Sequence, residues 1–259
     1  MEINILDSFV GLLSPSQRIY WQYIASSIFI ASIYLLVYKN EMKINLSHKL
    51  WLHKSAILDY KYFFLSFFIK TLLILPIIIS AQEIAIFIYE LLTYEFGYMR
   101  INTFSYTQVV VLFTITLFVI SDFTRYWLHR ILHTIPFFWE FHKVHHSAKV
   151  LTPITFYRVH PIENFFFGFR YAASIGFVSG VFIYLFGAMI GVCEILGTNV
   201  LLYIFAIMGS NLRHSHIKIS YPMIVEKIFI SPFQHQLHHS RTYHSKNYGG
   251  YLAIWDTMF

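Results

Sequence analysis

Residues 121–146 hold five histidines at helical spacing, and that spacing constrains the fold more than any other feature of the chain. His129 and His133 stand four residues apart; His142, His145 and His146 form an i, i+3, i+4 set. Side chains so spaced share one helix face with Cβ atoms about 5–6 Å apart, close enough for imidazoles to converge on one ion. The HxxHH spacing returns near the C-terminal end at His235, His238 and His239. If these sets act together, the chain must fold back over a long intervening stretch to bring them to one point.

One histidine on a helix is usually a satisfied surface or core residue. Three sets in matching spacings point instead to metal. Neutral imidazole suits Zn, Cu, Fe and Ni. Eight ring nitrogens exceed the needs of one tetrahedral ion, whereas two ions with three to five ligands each use them fully. His214, in the run Asn211-Leu212-Arg213-His214, is a candidate for a further ligand. The Glu-x-x-His motif of soluble di-iron bundles does not occur in these sets. Asp122 lies two helical turns before His129 and could fix a histidine tautomer, as carboxylates beside metal ligands do; an ion pair with Arg125 is the alternative. His160, His216 and His244 are candidates for a hydrogen-bond partner or an extra ligand. His48 and His53 have no partners in the pattern and read as interfacial.

The rest of the chain says where such a site would sit. Of 259 residues, 57% are apolar and only 12% charged, about half the charged fraction of a soluble domain. The apolar stretches 20–38, 62–80, 105–120, 171–190 and 192–209 are long enough to read as membrane spans. The last two form a tight hairpin around Gly187 and Gly191, and 81–96 reads as an extension of the second span or an interfacial helix. The expected fold is an all-α integral membrane protein with four to five transmembrane helices. A cytosolic helical cap would hold a histidine-rich di-metal site. Residues 1–120 form an N-terminal transmembrane region and 121–259 a catalytic region that includes the hairpin at about 171–209.

Charge supports one topology. All the lysines and arginines except Arg18, Lys70 and Arg100 fall in segments 39–61, 121–170 and 210–259, as do all the histidines. Five alternating spans put these segments on one side, and the positive-inside rule makes that side cytoplasmic. The net charge of +6 therefore reads as membrane orientation rather than nucleic-acid binding. The acidic start, with Glu2 and Asp7, lacks the features of a cleaved signal. A lone cysteine, Cys193, excludes an internal disulfide and a thiolate zinc site. Pro136 should break the histidine-bearing helix, and Ser231-Pro232 should start another.

In residues 122–133 (DFTRYWLHRILH), 139–147 (WEFHKVHHS), 231–240 (SPFQHQLHHS) and 247–256 (NYGGYLAIWD), the chain resembles the fatty acid hydroxylase/sterol desaturase superfamily. The resemblance runs from about residue 121 to 259. Members often continue past Trp-Asp with Gly-Thr, where this chain has Thr257-Met258-Phe259. The resemblance implies a di-iron centre, with zinc able to replace iron on purification, together with O2 and an external reductant. It implies His129, His133, His142, His145, His146, His235, His238 and His239 as ligands, with His214 matching a further histidine that many members use. It implies hydroxylation, desaturation or ether cleavage of a lipid, with hydroxylation the preferred reading, and electrons from a separate protein or a small reductant. The expected setting is a bacterial inner membrane with the site facing the cytoplasm, the endoplasmic reticulum being the alternative. A non-catalytic metal carrier and a lipid-binding scaffold are the readings from another class.

Overall fold

A computed structural model describes residues 12–74, 77, 79–187, 190–196 and 198–259. It is mostly helical. The first half contains α1 (Trp21–Val37), the short α2 (Lys39–Asn45) and α3 (His48–Trp51), α4 (Lys54–Ile69) and α5 (Ala81–Phe96). Next come α6 (Tyr106–Thr134), α7 (Pro136–His146) and α8 (Pro161–Phe186). The chain returns through a two-residue hairpin, β1 (Glu194–Ile195) with β2 (Thr198–Asn199), and then α9 (Val200–Ile207). Short helices α10 (Met223–Glu226), α11 (Pro232–His238) and α12 (Ile254–Met258) complete the C-terminal part.

Helix boundaries follow local chemistry. Ser80, Ser105 and Ser231 each close a reciprocal capping box, with Glu83, Gln108 and Gln234 respectively, satisfying donors that a helix start otherwise leaves orphaned. Pro136, Pro161 and Pro232 each stand in a first helical turn, where the missing N–H costs nothing. The expected break before Pro136 is present: α6 stops at Thr134 and Ile135 is extended.

Among the described residues two helices, α6 and α8, are long and apolar enough to cross a membrane, and α1 is apolar but shorter. Other expected spans need correction. Segment 81–96 is not an extension of the preceding span; it is a helix of its own, begun at the Ser80 cap. The span expected at 171–190 begins ten residues earlier, at Pro161, because His160 caps the helix through Nδ1, which accepts from the Ile162 amide. Segment 192–209 is not a spanning helix. Only its last eight-residue stretch, α9, is helical, about 12 Å at 1.5 Å per residue. The earlier part includes the β1–β2 hairpin and lies against α6, where the Cys193 amide donates to Thr114 Oγ1 at 2.8 Å. Residues 75, 76 and 78 of the span expected at 62–80, and residues 188 and 189 of the expected hairpin, lie outside the described residues.

Packing fixes α5, α6 and α8 together. Val109 and Phe113 of α6 are buried against Val178, Phe182 and Phe186 of α8. On its other side α8 meets α5 through Gly176 and Gly180. A Cβ at Gly176 would stand 2.5 Å from Ile84 Cβ, and one at Gly180 would stand 2.7 Å from the Ala85 carbonyl. Only glycine allows backbones this close, as in small-residue packing between membrane helices. We expect Gly180→Leu to lower the thermal unfolding midpoint in detergent, reflecting an overpacking cost of about 1–3 kcal/mol. An unchanged midpoint would contradict this packing.

Candidate metal centre

Four elements carry the histidines inward. The last turns of α6 carry His129 and His133, and α7 carries His142, His145 and His146. A 3-10 turn, Ser210–His214, ends on His214, and α11 carries His235 and His238 with His239 as its C-cap. Gly209, at φ +88°, makes the turn into the His214 segment, a left-handed backbone that glycine adopts without steric cost.

The rings converge in two groups. His129, His133, His142, His146 and His238 form one; His145, His214, His235 and His239 form the other. Within each group the candidate ligand atoms all lie within 4.8 Å of one another. All nine expected ligands are thus brought together, though the consecutive pairs His145/His146 and His238/His239 each divide between groups. His146 and His239 stack at 4.5 Å where the groups meet.

The contacts decide what these groups suit. His129 Nδ1 donates to the Tyr248 carbonyl at 2.8 Å, His142 Nδ1 to Glu163 Oε1 at 2.8 Å, and His238 Nδ1 to the Lys246 carbonyl at 2.7 Å. With the ring proton held on Nδ1, each Nε2 presents a lone pair. Yet His129 Nε2 stands 3.1 Å from both His142 Nε2 and His238 Nε2. Two facing lone pairs make no hydrogen bond. Ligand nitrogens at 2.0–2.1 Å from a shared ion would lie roughly 3–3.4 Å apart. In the second group, His214 Nε2 lies 3.2 Å from His145 Nε2, 3.2 Å from His235 Nε2 and 3.1 Å from His239 Nε2. His133 Nδ1, His133 Nε2 and His146 Nε2 are buried without a hydrogen-bond partner. Lone pairs aimed at a common point and orphaned buried nitrogens are what a cation would satisfy. Burial also keeps the rings neutral, lowering His142 and His238 to about 3 and His145 to about 4.

Residues outside the histidine pattern hold the rings in place. Glu163 sits in the first turn of α8, 2% exposed. His145 Nδ1 donates to the Arg158 carbonyl at 3.2 Å. The Arg158 side chain is buried on Asp59, Ser55 and Ser147, so α4 braces the centre from far away in sequence. The tail acts similarly. Asp256 accepts from the Tyr248 and Gly249 amides, each at 2.8 Å, setting the turn whose Tyr248 carbonyl meets His129. Glu163, Arg158 and Asp59 escaped the sequence reading. The available signals were an acid three residues after His160 at a proline helix start, and Asp59 as the one acidic residue of α4.

The remaining candidates lie outside both groups. Asp122 neither fixes a histidine nor pairs with Arg125: its carboxylate accepts from the Tyr251 and Leu252 amides and from Trp255 Nε1. It reaches His129 only through the tail it anchors. His160 is a helix cap whose ring lies tilted against Phe141, centroids 5.0 Å apart. His216 Nε2 is buried without a partner but belongs to neither group. His244 is exposed beside Trp139, its Nδ1 donating to the Arg241 carbonyl at 3.0 Å.

The sequence profile of the fatty acid hydroxylase family matches residues 113–259, more than half of the chain and the whole of the histidine region. The chain belongs to this family. A Delta(7)-sterol 5(6)-desaturase of Gibberella zeae is 28% identical over 190 residues, covering 70% of this chain and 54% of that protein. The alkylglycerol monooxygenase of Homo sapiens is 31% identical over 140 residues, covering 53% and 28%. A methylsterol monooxygenase of Arabidopsis thaliana is 44% identical over 52 residues, covering 20% and 19%. The chain spans about half or less of the length of these relatives. No solved structure matches the chain. These relatives are oxidoreductases by name, and the two histidine groups are suited to metal.

Two measurements check the site. Glu163→Gln should weaken metal retention about 10–100-fold against a competing chelator, the usual cost of losing a carboxylate that orients a ligand; unchanged retention would mean that Glu163 does not orient His142. The metal-free protein should lose stability as pH falls below about 6.5, the ordinary histidine value. There the unfolded chain takes up protons that the buried rings refuse, and the loss should continue down to about 3–4, where the folded rings protonate. Thermal unfolding midpoints between pH 7.5 and 4.5 read this directly, and a flat profile would contradict neutral buried rings.

Proposed function

We propose that this protein is a membrane-embedded di-iron oxygenase that hydroxylates a C–H bond of a lipid, using O2 and electrons from a separate protein or small reductant. The observation that carries the reading is the pair of all-imidazole groups meeting at the stacked His146 and His239. Nine neutral imidazoles without a thiolate suit iron, zinc or copper, and the family's lipid oxidoreductases favour iron. His129, His133, His142, His146 and His238 would hold one ion and His145, His214, His235 and His239 the other. Two redox-active ions there would supply the O2 activation that an unactivated carbon requires.

The protein's own groups do the rest. Glu163 and the Tyr248, Lys246 and Arg158 carbonyls hold the ring protons on Nδ1 and so keep Nε2 directed inward. Helices α6 and α8 supply an apolar wall for a lipid and would cross the bilayer, with 1–120 as membrane region and 121–259 as catalytic region. We place the site on the cytoplasmic face of a bacterial inner membrane, the endoplasmic reticulum being the alternative, because the basic segments gather with the histidines. Desaturation and ether cleavage use the same site and are second readings favoured by the relatives. A metal carrier would line a path through the bilayer with its histidines; here they close into one centre at the helix ends, which disfavours that reading.

Membranes holding the reduced, iron-replete protein should, under 18O2, yield a lipid gaining one labelled oxygen. His145→Ala should reduce this yield to background and lower metal content. Full turnover by that variant would reject the ligand role of His145. A product with two fewer hydrogens and no label would replace hydroxylation with desaturation.

A further inference from the structure

A cavity of about 280 Å³ lies between α6, α8, the returning segment 192–211 and the N-terminal residues 15–18. Its charged lining is Arg18, Asp122 and Glu194. Asp122 is fully engaged, with both oxygens taken by Tyr251, Leu252 and Trp255. Arg18 spends one nitrogen, Nη2, on the Ser210 carbonyl and hydroxyl, and its guanidinium lies 4.1 Å over the Phe156 ring.

More positive charge stands behind the wall. The Arg125 and Arg213 guanidiniums lie 5.4 and 5.7 Å from the ring of Tyr251, itself a lining residue. Arg170 reaches the carbonyl of Ser121, another lining residue, at 2.7 Å. Arg170 Nε and Arg213 Nε are buried with no hydrogen-bond partner among the described residues. None of these four arginines is in an ion pair among the described residues. Four cations therefore surround a cavity whose carboxylates number two, and excess buried charge is costly unless an anion offsets it.

The cavity also lies close to the candidate metal centre. Phe156, beneath the Arg18 guanidinium, packs 6.0 Å from the His214 ring. Placed end to end, the two separations put Arg18 within about 10 Å of a proposed ligand. Ser210, which Arg18 grips, begins the turn that ends on His214.

We propose that this cavity seats the anionic head of the lipid, a carboxylate or a phosphate, on Arg18, with Arg125, Arg170 and Arg213 supplying the surrounding positive field. This rests on the reading that the protein acts on a lipid, and it adds that the substrate is an acidic one oxidised near its head rather than a neutral sterol. Arg18 is then the specificity-determining contact, and the arginines behind the wall act through the field alone.

The test is equilibrium binding in a neutral detergent at pH 7.5, with hexadecanoate, hexadecyl phosphate and the neutral methyl hexadecanoate titrated separately and metal content measured on every sample. Loss of one charge-assisted contact is worth roughly tenfold or more in affinity, so at least one of the two anions should bind about tenfold or more tightly than the ester. The tighter anion identifies the source as fatty acid or phospholipid. Arg18→Gln should remove most of that preference and Arg18→Lys should keep part of it, both with metal content unchanged. Equal binding of ester and anions by the natural protein, or an undiminished preference in Arg18→Gln, would overturn the proposal. The comparison of ligands on the natural protein stands even if a variant fails to fold. No turnover is required, so a failed oxygenase assay would leave this result readable on its own.

Discussion

The candidate metal centre depends on holding ring protons on the outer nitrogens of His129, His142, His145 and His238. An imidazole can turn a lone pair inward only if its other nitrogen has somewhere to give its proton. Tyr248, Lys246 and Arg158 offer carbonyls and Glu163 a carboxylate. Three of these acceptors are themselves fixed by distant elements. Asp256 and Asp122 pin the tail that contains Tyr248, Asp59 anchors Arg158 from α4, and the start of α8 carries Glu163. A centre of nine histidines therefore draws its geometry from nearly the whole chain.

The histidines themselves were legible because helical spacing is local. HxxxH and HxxHH place rings on one face wherever the chain is helical, and Pro136 and Ser231-Pro232 announce the helix boundaries. His214 was legible as a candidate from its place after the last apolar stretch, and the family resemblance strengthened it, although it stands in a 3-10 turn without a repeated spacing. The bracing groups were not legible, because Asp59 and Arg158 meet across about a hundred residues and nothing local pairs them. Asp122 misled for the same reason. Its sequence neighbours are Arg125 and His129, but its partners are backbone amides of the tail.

The membrane segments show a different limit. Hydropathy identifies apolar chain but does not say how its backbone is satisfied. Segment 192–209 is as apolar as a span, yet the Cys193 amide bonds to Thr114 of α6 and Asn199 caps a helix of only eight residues. Conversely, α8 gained its first ten residues because His160 and Pro161 begin a helix there. The chain leaves the centre on one long helix and comes back through a short β-hairpin and the eight-residue α9. That unequal return shapes the cavity beside His214 and allows a polar wall within an otherwise apolar bundle.

The most direct test of the account is metal stoichiometry on the intact chain, purified in detergent under reducing, iron-replete conditions, with iron and zinc quantified together. The account predicts about two ions per chain, bound by imidazole nitrogen alone in X-ray absorption, with iron supporting oxygen chemistry and zinc in its place reflecting replacement of a redox-active ion by an inert one. One ion or none per chain would contradict two imidazole groups built to hold metal.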